Sequence, residues 1–208
     1  MNKNYTAESY NAQAAQYDER WKGYLVNTHQ RLLREFDTDP LDRLLDLSAG
    51  TGFLAELLQQ REDEFREFIL NDLSSKMLEI AQKKLRHVNN ISFTGHSADK
   101  LGFQSNSFDQ VISMNAFHNY PDQVAVFREV HRVLKPGGNF YLLDWNREGL
   151  FKVINYWIDK LTNETIQTVT MGEAIEMLTS HHFDVHHKEK WSYRYWNLFL
   201  IKGVKQPI

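Results

Sequence analysis

Residues 44–52 read Leu-Leu-Asp-Leu-Ser-Ala-Gly-Thr-Gly, and the way this stretch is read decides the fold. A short apolar run over 41–47 ends in a turn holding Gly50 and Gly52, and a helical pattern over 52–60 follows it. An apolar run, a glycine turn and a helix together describe a buried strand that hands the chain to a helix on the sheet face. Glycine there lets the backbone take positive φ and come close to a ligand. A second strand-like run, 67–71, leads into Asp72, 20 residues beyond Gly52. A carboxylate at the end of a neighbouring strand can accept hydrogen bonds from both hydroxyls of a ribose. Plainer readings are a tight strand–helix turn and an acidic residue complementing a helix dipole. The two features together, at this spacing, point to a nucleoside cofactor.

Outward from this stretch, strand and helix patterns alternate. Residues 5–36 are helical in pattern, with Tyr10, Tyr17, Trp21, Tyr24, Leu25, Leu32 and Leu33 among polar residues. Ser74 is a good N-cap for the helix behind it. Strands are expected over 90–94, 108–114 and 139–144, with a helix from Pro121 to about 134 that Lys135-Pro136-Gly137-Gly138 stops. Residues 145–170 are aromatic-rich and partly helical, 171–180 is a helix, and 183–189 and 193–202 are closing strands. The alternation predicts an α/β fold: a Rossmann-like, doubly wound, seven-stranded sheet, mostly parallel with an antiparallel last strand, and helices on both faces. Ligands of such sheets sit at the carboxyl ends of the strands, which puts Asp46, Asp72, Ser97, Asn115 and Asp144 on one rim.

Composition narrows the chemistry. The chain has 208 residues, 42% hydrophobic and 25% charged, with a formal net charge of -3 and no cysteine. Disulfides, zinc–thiolate sites, iron–sulfur clusters and cysteine nucleophiles are thereby excluded. A binder of phosphate backbones usually carries a basic excess, so nucleic acid is not the expected partner. The N-terminal residues MNKNYTAESYNAQ hold no apolar core of a signal peptide, and no apolar run is long enough to span a bilayer. The expectation is a soluble cytoplasmic protein. His181, His182, His186 and His187 straddle a turn into a strand, where neighbouring side chains diverge, so no metal site is expected.

The cofactor can be narrowed as well. A dinucleotide fingerprint can be forced from Gly50 to Ala55, but Asp46, just ahead of the turn, is awkward beside a pyrophosphate. It suits the ammonium of an amino-acid moiety instead.

Five stretches, the opening one included, complete a pattern: LLDLSAGTGFLAELL, FILNDLSSKMLEIAQKKL, SADKLGFQSNSFDQVISMNAFHNYPD, FREVHRVLKPGGNFYLLD and, near the N-terminus, YNAQAAQYDERW. In this order they resemble the class I S-adenosylmethionine (SAM)-dependent methyltransferases, in particular the ubiquinone/menaquinone-biosynthesis-like branch. The resemblance covers roughly residues 8–145. It implies one methyltransferase domain over 1–208, with cap helices in 1–36, a SAM-binding core in 37–144, a substrate cap in 145–170 and a closing helix and strands in 171–208. It implies SAM as cofactor, with Asp46, Ser48, Ala49, Gly50 and Gly52 at the methionine end and Asp72 on the ribose. Leu73 and Met77 would pack near adenine, Ser97, Ala98 and Asp99 would flank it, and Asn115 and Ala116 would line the floor near the sulfur. Tyr17 would close over the carboxylate, or simply pack in the core. Two positions depart from the family pattern. Ser48 stands where the first glycine is usual, and fits if its φ is negative. Ser97 stands where an aspartate usually takes the adenine amino group, with Asp99 close by but turned away.

Methyl transfer from a sulfonium brings its own leaving group, so alignment of a small-molecule acceptor carries most of the catalysis. If the acceptor must lose a proton, His118 is the candidate catalytic base, since an imidazole can accept one near neutral pH. Its plainer reading is a structural loop histidine. Asn119, Tyr120, Asp144 and Trp145 are weaker acceptor-side candidates, and Tyr10, Trp21, Tyr24, Phe151, Tyr156 and Trp157 can form an aromatic pocket. Two other readings stay open: a non-catalytic binding or interaction protein on the same fold, and a nicotinamide-dependent oxidoreductase.

Overall fold

In the structure, a computed structural model that describes residues 3–149 and 166–207, each strand of the sheet alternates its side chains between two cores. The N-terminal segment forms α1 (Lys3–Gln13), a single 3-10 turn (Ala14–Gln16) and α2 (Tyr17–Leu32). There follow β1 (Arg43–Asp46), α3 (Phe53–Gln60), β2 (Glu67–Asn71), α4 (Ser75–Leu85), β3 (Ile91–Thr94) and β4 (Phe108–Met114). A 3-10 turn (Phe117–Asn119), α5 (Gln123–Val133), β5 (Leu134–Trp145), α6 (Met171–Ser180), β6 (Phe183–Tyr193) and β7 (Trp196–Lys205) complete the order.

The seven strands lie in the order β3-β2-β1-β4-β5-β7-β6. The first five are parallel, β7 runs antiparallel to β5, and β6 runs antiparallel to β7. The expected mixed sheet with an antiparallel last strand is therefore what forms. Leu45, Ile69, Phe140, Leu142, Phe199 and Ile201 face a core shared with α5 and α6. Leu44, Phe68, Leu70, Tyr141, Leu143, Leu198 and Leu200 face a second core shared with α2, α3 and α4. Alternate residues of a strand point to opposite faces, so helices must cover both.

Four boundaries differ from the sequence expectation. The N-terminal helical run breaks at Ala14–Gln16, where the chain turns Asp18 toward Thr51 and Lys84, whose side chains both bond its carboxylate. Leu41, expected in the first strand, is 76% exposed and precedes it. The helix after β4 starts at Gln123 rather than Pro121, because the Asp122 side chain accepts the Ala125 amide (2.8 Å) and caps it. The closing hairpin is longer, with Trp191–Tyr193 paired in β6 and the turn at Arg194 and Tyr195.

Residues 135–138 do end α5, but they also form a bulge at the start of β5. Phe108 pairs with Leu134 and Gln110 with Asn139, so the whole stretch stands opposite Asp109. Lys135 Nζ bonds both Asp109 carboxylate oxygens at 2.7 and 2.8 Å. Gly138 has no room for a side chain, since a Cβ would lie 2.9 Å from the Asp109 carbonyl oxygen.

The chain leaves β1 for β2 on one side and returns to β4 on the other. That switch point opens a crevice at the carboxyl ends of the strands.

Candidate functional site

The crevice is a cleft of about 870 Å³, counting its open mouth. Its rear wall is the β1–α3 loop. Gly50 (φ +54°) and Gly52 (φ +77°) take the left-handed conformation, while Ser48 does not, so serine is tolerated at the first position. The two glycines serve different ends. A Cβ on Gly52 would meet Leu85 at 3.0 Å and Ala81 at 3.1 Å, so Gly52 seats the loop on α4. A Cβ on Gly50 would meet nothing within 4 Å, at a point on the cleft wall.

Asp72 binds this loop to the next one. One carboxylate oxygen accepts the Gly50 amide and the other the Ser74 amide, both at 2.8 Å. Burial pushes the Asp72 carboxyl up, and the two amides pull it back. A carboxylate oxygen has capacity for a second donor, so both oxygens can still receive a ribose hydroxyl. Behind the wall, Asp46 is 4% exposed and accepts the Ser48 amide at 3.1 Å. Burial, offset by that amide and reinforced by the charge of Asp72, pushes its carboxyl up to about 7.

Met77, Leu73 and Ala98 form the apolar end of the cleft. Asp99 is not turned away. Ser97 and Lys100 bridge across a tight turn, Asp99 lines the cleft, and it accepts the hydrogen bond of the Ser97 hydroxyl. A carboxylate therefore sits at this end of the cleft although residue 97 is a serine. From α2, Tyr17 also lines the cleft, and burial, then Tyr10, Asp72 and Asp18, raise its phenol so that it remains a donor. Among the described residues, the lining holds two carboxylates, Asp72 and Asp99, and no lysine or arginine. Such a wall repels a pyrophosphate and suits a cationic nucleoside. The open space at Gly50 and the bidentate acid at Asp72 fit SAM.

A second pocket adjoins the first and shares Tyr10, Tyr17, Asn115 and Asn119 with it. Trp21, Tyr24, Trp145 and Trp196 supply its aromatic walls. His118, buried at 3% exposure, lies on it. Its Nδ1–H donates to Asp144 Oδ1 (2.6 Å) and its amide to Asp144 Oδ2 (3.1 Å). Asp144 is 1% exposed. This leaves Nε2 with its lone pair, to which Asn119 Nδ2 donates at 3.1 Å. The imidazole stacks on Trp145 at 3.8 Å, and Trp145 stacks on Trp196 at 4.5 Å. Asn115, at φ +55°, accepts from the Tyr24 hydroxyl (2.7 Å), which in turn accepts from Trp145 Nε1–H (2.8 Å). Helix α1 spans both pockets with two consecutive residues: Tyr10 accepts from Asn119 (3.1 Å), and Asn11 accepts from Ser74 Oγ (2.7 Å) and the Lys76 amide (3.1 Å).

Comparison with known proteins points to one family. The family described as Methyltransferase domain matches residues 45–142. The ubiquinone/menaquinone biosynthesis C-methyltransferase UbiE of Xanthomonas oryzae is 34% identical over 129 residues, which is 61% of this chain and 48% of that relative. UbiE of Edwardsiella ictaluri is 37% identical over 108 residues, 50% of this chain and 43% of that relative. Over residues 45–142 the chain is similar to SAM-dependent methyltransferases. Both of these relatives are of the ubiquinone/menaquinone-biosynthesis branch. The chain spans about half the length of the curated relatives it matches. In fold, it is similar to a methyltransferase solved in complex with the Haloferax volcanii Trm112 methyltransferase activator, with a TM-score of 0.84 at 21% identity, covering 95% of this chain and 98% of that one.

Of the residues the sequence singled out, the cleft gathers Tyr17, Ser48, Gly50, Asp72, Leu73, Met77, Ser97, Ala98, Asp99, Asn115 and Ala116. Asp46, Ala49 and Gly52 stand behind the wall. The Ala49 amide is engaged by the Asn71 carbonyl (2.9 Å), and Gly52 packs on α4. Phe151, Tyr156 and Trp157 lie outside the described residues, as does most of the expected cap. Sequence reading missed Asn71, whose side chain bonds Leu47, Thr94 and His96 and so joins three loops. It also missed Trp196 and the link between Ser48 and Tyr120. The only signal for Asn71 was a polar residue closing an otherwise apolar strand.

Among the described residues no three His, Asp or Glu side chains are grouped to hold a metal, and no helix is long and apolar enough to cross a membrane.

Proposed function

We propose that this protein moves the methyl group of SAM to a small, flat, hydroxyl-bearing aromatic molecule, with His118 as the base that takes the hydroxyl proton. The observation that carries the reading is the Asp144–His118 pair opening on an aromatic pocket beside the cofactor cleft. Among the described residues that pocket has no lysine, arginine, aspartate or glutamate on its wall, which favours an uncharged ring. The relatives' names, C-methyltransferases of ubiquinone and menaquinone biosynthesis, support the same substrate class.

When bound, the cofactor supplies an electrophilic methyl group on a sulfonium, which departs as a neutral thioether. Asp72 holds the ribose, and Leu73, Met77 and Ala98 hold the adenine with Ser97 and Asp99 at its edge. Ser48, Gly50, Tyr17 and the charge of Asp46 serve the amino-acid end, and Asn115 and Ala116 form the floor between the pockets. Asp144 fixes the imidazole tautomer, so Nε2 presents a lone pair to the acceptor. The hydroxyl proton passes to Nε2, and the electron pair left on the ring makes its carbon, or the oxygen itself, nucleophilic. For carbon methylation the proton of the methylated carbon passes to solvent as the product leaves, and the oxygen takes back its proton from Nε2, so the ring is aromatic again and the base is neutral. The Asn119 amide, which donates to Nε2 here, gives up that bond to the acceptor hydroxyl and donates to the acceptor oxygen instead, and the tryptophans exclude water.

The test is methyl transfer from methyl-labelled SAM to a panel of phenols and hydroxynaphthalenes. Asp144→Asn reverses the tautomer, and His118→Gln removes the base. Both are expected to lower kcat by roughly 10²–10⁴ while S-adenosylhomocysteine (SAH) binding is retained. Variants as active as the parent on an accepted phenol, or a panel with amines as the only acceptors, would overturn the reading.

A further inference from the structure

Three hydroxyls stand in line beside the cofactor cleft. Ser113 Oγ lies 3.3 Å from the Tyr120 hydroxyl, which lies 2.8 Å from Ser48 Oγ. Each carries one hydrogen, and two links use two of the three. The direction of the line decides where the third is left. Ser113, on β4, is 0% exposed, and among the described residues its side chain has no partner but Tyr120. If the order ran inward, the Ser113 hydrogen would be stranded in the core without an acceptor, the arrangement that folded proteins avoid. Ser113 therefore donates to Tyr120, and in the order that runs outward throughout Tyr120 donates in turn to Ser48. Burial holds the Tyr120 phenol above its usual value, against the pull of its two hydroxyl partners, so it keeps the proton this order requires. In that order the leftover hydrogen sits on Ser48, whose side chain lines the cleft.

The loop around Ser48 has few other donors to offer. The amides of Ser48, Ala49, Gly50 and Gly52 are engaged by Asp46, Asn71, Asp72 and Ala49. The described lining has no lysine or arginine. An anionic group bound here must find its donors elsewhere, and a glycine at position 48 would supply none from its side chain.

We propose that the Ser48 hydroxyl is a donor to the carboxylate at the amino-acid end of SAM, with Tyr120 and Ser113 as the positioning residues that turn its hydrogen outward. This rests on reading the cleft as the SAM site. The serine in the glycine position is thus a recognition device and comes as a set with Tyr120.

The test is calorimetric binding of two ligands that share the adenosine and thioether but differ in the amino-acid end: SAH, and 5′-deoxy-5′-methylthioadenosine, which lacks it. Ser48→Ala is expected to raise the Kd of SAH about tenfold, the size of one charge-assisted hydrogen bond, and to leave that of methylthioadenosine unchanged. Tyr120→Phe is expected to raise the SAH Kd about threefold with the same selectivity, and to add nothing to Ser48→Ala in the double variant. Ser113→Ala is expected to behave like Tyr120→Phe. Parental SAH affinity in Ser48→Ala, equal weakening of both ligands, or full additivity of Ser48→Ala and Tyr120→Phe would overturn the proposal. If the parent protein bound neither ligand, the SAM-site reading itself would fall, a distinct result.

Discussion

Asp46 is a carboxylate shut behind the cleft wall with one amide for compensation, and its titration has two measurable consequences. Its folded value is pushed up to about 7 from an ordinary 3.8. Between those values the folded protein holds a proton that the unfolded chain has released. This residue's contribution to stability is therefore full below about pH 4 and falls as pH rises to about 7. Asp46→Asn is expected to stabilise the ligand-free protein by roughly 2–4 kcal/mol at pH 8 and hardly at all at pH 4, read from denaturation midpoints. A cation near Asp46 reverses the balance, so SAH binding is expected to release a proton and tighten from pH 6 to pH 8 in the parent but not in Asp46→Asn. A flat affinity profile would show that no ligand cation lies near this carboxylate. At this scale the sequence was most informative where one residue type has one use. Asp72, placed by its distance from Gly52, lies on the cleft. Asp99 was misread because side-chain direction in a tight turn depends on the Ser97–Lys100 bridge, which no spacing reveals.

At the scale of elements, the β1–α3 loop separates stability from binding within three residues. An alanine at position 52 meets both a positive φ and the side chains of Leu85 and Ala81, whereas one at position 50 meets the positive φ alone. Gly52→Ala is expected to cost about 2–4 kcal/mol in urea denaturation and leave SAH affinity near that of the parent, provided the folded fraction is measured. Gly50→Ala is expected to cost about 1–2 kcal/mol and to weaken SAH binding, since its new methyl enters the cleft. The same pattern of loss in both variants would refute the division of labour. Elements were legible wherever period and caps agreed, as in the Ser74-capped α4. They were not legible where tertiary contacts broke a period. Asp18 is pulled to Thr51 and Lys84 just past the break in the N-terminal run, and the ion pair between Lys135 and Asp109 holds a bulge where a plain helix stop was expected.

At the scale of the molecule, two pockets share one partition, and α1 is bonded to both sides of the opening through Tyr10 and Asn11. The cofactor side was readable because its residues fall in contiguous motifs at successive strand ends. The acceptor side was readable in part: Trp21, Tyr24, His118 and Trp145 were named as candidates and Trp196 was not, because these residues come from four distant parts of the chain and meet only when β5 and β7 pair. The central claim is that the cleft at the β1/β4 switch point holds SAM through Asp72. Calorimetric titration of SAH into the parent protein and Asp72→Asn, with NAD as the comparison ligand, tests it most directly. The expected result is one SAH site per chain, at least about tenfold weaker in Asp72→Asn, and no heat with NAD. NAD binding without SAH binding, or unchanged SAH affinity in Asp72→Asn, would contradict it.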